Sequence, residues 1–150
     1  MIIGKGAMFV TLRSFFLLWL LVQLSTSHVS GKKTTSYAAG KKTIVIITNK
    51  LQGGRDLFVH CQSADDDIGV QHLHPNASFS WSFRINFFVS TLFHCSFQWE
   101  SVLHKFVIYK ARTDADKCML CNWIVKEDGP CLVDPGSKDD CYSWDSLEER

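Results

Sequence analysis

The chain has 150 residues, 46% of them hydrophobic, six cysteines, and 16 Lys and Arg set against 15 Asp and Glu. So even a balance excludes nucleic-acid binding driven by bulk charge, and it argues against a cationic, membrane-disrupting element. The length suits one domain with its own core.

In chain order, residues 1–27 carry Lys5 and Arg13, no acid, and the apolar run Ser14 to Leu24, with small residues at Ser25 and Ser27. A charged start, a run too short to span a bilayer and a small-residue cleavage site define a secretory signal peptide. Its removal implies a secreted, extracellular product with no stable membrane insertion. Residues 28–42 are rich in Ser, Thr, Gly and Lys and read as a flexible N-terminal arm.

From Thr43 the composition turns to β-branched residues (IVIIT), followed by a Gly53-Gly54 turn and LFVHC, which reads as two strands. Over 79–88, Phe79, Trp81, Phe83, Ile85 and Phe87 alternate with polar residues, so one face is expected to be buried and the other wet. Phe93, Cys95, Phe97 and Trp99 repeat that pattern. Further strands are expected at 103–111 and 121–126, and no segment carries a helical stripe. Short strands separated by turn signals predict an all-β fold, a two-sheet antiparallel β-sandwich over 43–135, with 136–150 as an acidic C-terminal tail.

Six cysteines in an exported chain are read as disulfides. The spacing Cys118-x2-Cys121-x9-Cys131-x9-Cys141 is a poor zinc site because its second half is not CxxC, and no metal is expected. A redox CxxC is also poorly supported, since a strand follows Cys121. Cys61, Cys95 and Cys121 are in phase with core residues, which suits bridges within or between sheets. The preferred pairs are Cys95–Cys121 and Cys61–Cys131, leaving Cys118–Cys141 for the tail, with 15 pairings open in principle.

The segments IVIITNKL, LFVHCQSADDDIG, FSWSFRINFF, TLFHCSFQW, HKFVIYKAR and CNWIVKEDGPC occur in an order that resembles the plant self-incompatibility S-protein homologues. The marks that carry the resemblance are Asn49 and Leu51, His60-Cys61, Ser63, Asp65-Asp66-Asp67-Ile68-Gly69, Phe93-His94-Cys95 before Trp99, Cys121-Asn122-Trp123 and Gly129-Pro130-Cys131. Ile68 replaces a usual Leu, and Cys118 and Cys141 are additional. The resemblance implies a compact secreted β-sandwich with two disulfides made by Cys61, Cys95, Cys121 and Cys131. It also implies an extracellular recognition ligand rather than an enzyme, with a cell-surface protein receptor as partner. A secreted defence or toxin-like protein, or an extracellular hydrolase, is the alternative.

Recognition on a stapled sandwich is expected in its loops, here 50–56, 62–76 and 112–118, which nominates Arg55, Asp65, Asp66, Asp67, Arg112 and Asp114. The three consecutive aspartates must be solvated, used as backbone acceptors, or met by positive charge. Calcium would need an alternating ligand pattern that this run lacks. His72 and His74 flank Leu73 and share a phase, but with no third ligand nearby in sequence they read as a loop pair. Asn76-Ala77-Ser78 is an N-glycosylation sequon. No nucleophile elbow or papain-like setting is present, so no catalytic residue and no cofactor are assigned, and a monomer is expected.

Overall fold

The computed structural model describes residues 38–144. The expected signal peptide, most of the arm and the last six residues lie outside the described residues. The strands are β1 (Lys42–Asn49), β2 (Leu57–Gln62), β3 (Asp67–Leu73), β4 (Ser78–Arg84), β5 (Leu92–Trp99), β6 (Val102–Lys110), β7 (Leu120–Lys126), β8 (Gly129–Val133) and β9 (Asp140–Cys141). A single helical turn, α1 (Ala111–Asp114), follows β6.

They form two sheets, β4-β1-β7-β8-β9 and β3-β2-β5-β6. Every pairing is antiparallel except β1 with β7. Alternation drives this arrangement, because each strand's apolar phase must leave water while its neighbours face out. Val45 and Ile47 of β1, Val59 and Cys61 of β2, Cys95 and Phe97 of β5, and Trp123 and Val125 of β7 are all buried. In β6 the register shifts opposite Phe93 and His94. An extra residue there lets the adjacent Ile108 and Tyr109 both reach the interior.

Several sequence expectations about strand and segment bounds need correction. The period-two pattern ends at Arg84, so Ile85 is buried but Phe87 turns into solvent. Residues 67–73, expected as loop, form β3 on the edge of the four-stranded sheet. At the N-terminal side, Ala38 is buried and Gly40 N–H donates to Ile85 O at 2.8 Å, so the last part of the expected arm is fixed in place.

The disulfides are Cys61–Cys95, Cys118–Cys121 and Cys131–Cys141, not the expected Cys95–Cys121, Cys61–Cys131 and Cys118–Cys141. Cys95 and Cys121 belong to different sheets, as do Cys61 and Cys131. Facing sheets sit about 10 Å apart on average, so a bridge between them needs a local close approach, whereas cysteines directly opposite on adjacent strands are already within reach. Instead, Cys61 lies directly opposite Cys95, and Cys131 opposite Cys141, each pair with Cα atoms 4.0 Å apart. The bonds therefore clamp neighbouring strands within a sheet.

The tail is part of the domain. Beyond β9, Trp144 is 7% exposed, stacks on His104 at 4.6 Å, and donates its indole N–H to Glu127 O at 2.8 Å. Its return path explains Gly129, which has φ +147°; a Cβ there would collide with the Tyr142 backbone. Tyr142 N–H also bonds Pro130 O at 3.0 Å.

Candidate recognition rim

The strand registers send the connections β2–β3, β4–β5 and β6–β7 to one end of the sandwich, and β1–β2, β3–β4 and β7–β8 to the other. The first end is an aromatic rim. In its β4–β5 loop, Asn86 Oδ1 accepts from Ser90 N–H at 2.8 Å, Asn86 Nδ2 donates to Ser90 Oγ at 2.9 Å, and Asn86 N–H donates to Thr91 Oγ1 at 2.9 Å. Val89 takes a positive φ of 51° and is buried. With Ile85 and Val89 turned inward, the two residues between Asn86 and Val89 are displayed: Phe87 is 81% and Phe88 78% exposed, ring against ring at 5.5 Å.

The β2–β3 loop lies beside them. Ser63 N–H donates to Asp66 O at 2.8 Å, and Ser63 Oγ accepts from the amides of Asp65 and Asp66 at 3.2 and 2.9 Å. This tight turn leaves both carboxylates in solvent, where mutual repulsion is screened. Between the two loops is a cleft of about 490 Å³, lined by Asp65, Asp66, Arg84, Asn86, Ser90 and His94 among others. A second hollow of about 230 Å³ runs from Val89 to Lys110 and Arg112.

The nominated residues thus separate. Asp65, Asp66 and Arg112 line the aromatic rim. Asp67 does not join them: its Oδ1 accepts from Gly69 N–H at 2.8 Å and meets His60 Nε2 at 2.7 Å. The Gly69 amide first, then His60, hold its carboxyl below the ordinary aspartate value. Asp114 is 1% exposed and accepts from Lys110 N–H at 2.7 Å, so it organises the turn into α1 and is not available to a partner.

Arg55 is at the opposite, bonded rim, paired with Glu127 at 2.8 Å. There Asn49, fully buried, donates to Arg55 O and Leu73 O at 2.8 and 3.0 Å and accepts from Leu51 N–H at 3.0 Å. Asp56 meets both His72 and His74, which together hold its carboxyl below its usual value, His74 contributing most. Asn76, the sequon residue, is exposed at this rim, and Lys50 Nζ donates to its side chain at 2.8 Å. Sequence reasoning missed Phe87 and Phe88 as surface residues. The signal was present in Asn86, Ser90 and Thr91, polar turn formers that end the alternation.

Fold and site together define a small disulfide-stapled β-sandwich carrying a rigid loop rim and, among the described residues, no helix long and apolar enough to cross a membrane. Residues 44–144 match the family model described as plant self-incompatibility protein S1, and the chain belongs to that family. It is 41% identical over 104 residues to S-protein homolog 5 of Arabidopsis thaliana, covering 69% of this chain and 79% of that protein. With S-protein homolog 2 of the same plant it shares 35% identity over 148 residues, covering 87% and 92% of the two chains. A solved self-incompatibility protein homologue superposes with a TM-score of 0.50 at 18% identity, covering 69% of this chain and 97% of the other. That protein represents a widespread family of small, highly stable, secreted plant proteins, and the likeness supports the sandwich fold.

Proposed function

We propose that the chain is a secreted recognition ligand, not an enzyme, that binds a cell-surface protein through the aromatic rim. Phe87 and Phe88 enter an apolar hollow of the partner, while Asp65 and Asp66 face its basic residues. The observation that carries this reading is a pair of adjacent phenylalanines displayed on a loop that Asn86 holds rigid. Buried aromatic anchors dominate binding energy, and pre-ordering them reduces the entropy lost on association. Carboxylates beside the anchors steer encounter more than they add affinity.

The test is saturable binding of the labelled, oxidised and glycosylated protein to plant cell surfaces. The double variant Phe87→Ser/Phe88→Ser is expected to weaken binding by about thirtyfold or more. Asp65→Asn/Asp66→Asn should slow association at low salt and leave dissociation nearly unchanged. Undiminished binding by the phenylalanine variant would refute the proposal. So would equal binding to protease-treated cells or lipid vesicles, which would point instead to a membrane-directed, defence-like role.

A further inference from the structure

The bonded rim brings together three side chains that the sequence separates. Because Leu57 pairs with Leu73 and both point inward, their neighbours Asp56, Phe58, His72 and His74 all project from the outer face of the four-stranded sheet. Asp56 Oδ2 lies 2.8 Å from His72 Nε2, and Oδ1 lies 3.0 Å from His74 Nδ1. One ligand atom from each of the three residues falls within 4.8 Å of the others. Phe58 stacks on the His72 ring at 4.5 Å with the planes only 9° apart, which fixes the direction of that imidazole.

Two imidazoles and one carboxylate form a donor set of borderline hardness, suited to zinc or copper and poorly matched to calcium or magnesium, which take oxygen ligands. In a tetrahedral zinc site the ligand atoms stand about 3.3 Å apart, given metal–ligand bonds of about 2.0 to 2.2 Å. The two imidazole nitrogens stand 2.8 and 3.0 Å from the two Asp56 oxygens, and no pair in the three-atom set is more than 4.8 Å apart, so side-chain rotation about these positions brings all three to one ion. We propose that Asp56, His72 and His74 bind one divalent transition-metal ion of the zinc or copper type, through His72 Nε2, His74 Nδ1 and the Asp56 carboxylate. Three protein ligands leave a coordination position for water, and the ion ties the start of β2 to the end of β3. The inference is independent of the recognition rim, which lies at the other end of the sandwich.

The experiment is calorimetric titration of the mature, oxidised protein with zinc chloride in a non-chelating buffer near neutral pH, with imidazole resonances followed by NMR. Expected are one site per chain, and shifts at His72 and His74 without shifts at His60, His94 or His104. His72→Gln, His74→Gln and Asp56→Asn should each weaken binding by about tenfold or more, since even the outer partners of metal ligands have effects of that size. All three are surface substitutions, and the NMR result on the unmodified chain requires none of them. Absence of saturable binding up to about millimolar zinc would overturn the proposal. So would zinc binding that His72→Gln and His74→Gln leave unchanged, or shifts confined to the other histidines.

Discussion

The two rims of the sandwich use polar side chains in opposite ways. At the bonded rim they tie to one another and to the backbone: Arg55 to Glu127, Asp56 to two histidines, and Asn49 to the chain at three places. At the aromatic rim the polar groups of Asn86 and Ser63 hold their own loops, and what those loops present outward is two bare phenyl rings and two carboxylates. Exposed apolar rings of this kind mark an interaction surface, and a secured backbone beneath them lowers the ordering cost of using it.

Securing that backbone is the task of Cys61–Cys95, which joins β2 to β5 just inside the loops that begin at Ser63 and end at Thr91. The bond has a sequence separation of 34, and on the chain-entropy account a loop of that size corresponds to about 4 kcal/mol. Replacing both cysteines by Ser should therefore lower the melting temperature by about 15 °C. Removing Cys118 and Cys121, separated by 3 residues, should cost about half as much. Calorimetry of the two double variants decides the order. If the short bond proves the more stabilising, the aromatic rim does not depend on the clamp below it.

A pair of asparagines sharpens the contrast. Asn49→Ala leaves the part-buried carbonyl of Arg55, the buried carbonyl of Leu73 and the Leu51 amide without their partner, and should cost about 1–3 kcal/mol in chemical denaturation. Asn86→Ala acts on a more exposed turn and should cost about 1 kcal/mol. Its larger consequence is expected in binding, because Phe87 and Phe88 lose their fixed presentation. Equal stability loss with unaltered cell-surface binding would mean that the two ends do not differ in kind.

Much of the scaffold was legible in the residues, and the reasons are physical. Period-two runs such as Phe93 to Trp99 and the β-branched stretch after Thr43 can bury one face only as strands, and they do. The ordered cysteine and tryptophan marks pointed to the right family. What escaped was long-range in origin. Disulfide partners depend on which strands become neighbours, and inward phase cannot distinguish a residue across the sheet from one in the adjacent strand. β3 was hidden because its apolar face is narrow, Val70 being exposed at a sheet edge. The tail reads as an acidic segment outside the sandwich, pinned only by a Cys118–Cys141 bond, because Cys141, Tyr142 and Trp144 stand in a charged stretch whose partners Cys131, Pro130 and Glu127 are set only by the fold. Asp56 became visible as a third partner of His72 and His74 only when the β2–β3 register was known.

The smallest effect concerns Asp67, which belongs to the aspartate run in sequence but works for the sheet. Its carboxyl is depressed below the ordinary value of 3.8, chiefly by the Gly69 amide and then by His60. A depressed acid contributes stability that is present above the unfolded value and is lost as pH falls through the folded one. Asp67→Asn should thus flatten the acid limb of the stability curve: its cost falls at neutral pH, where the charged carboxyl contributes in full, and vanishes in strong acid, where the parent has already lost that contribution, an effect kept small by solvent screening. His60→Ala should remove only part of the depression, since the Gly69 amide remains. A carboxyl titration by NMR with its midpoint at or above 3.8 would return Asp67 to the solvated company of Asp65 and Asp66, and would enlarge the aromatic rim's charged lip from two residues to three.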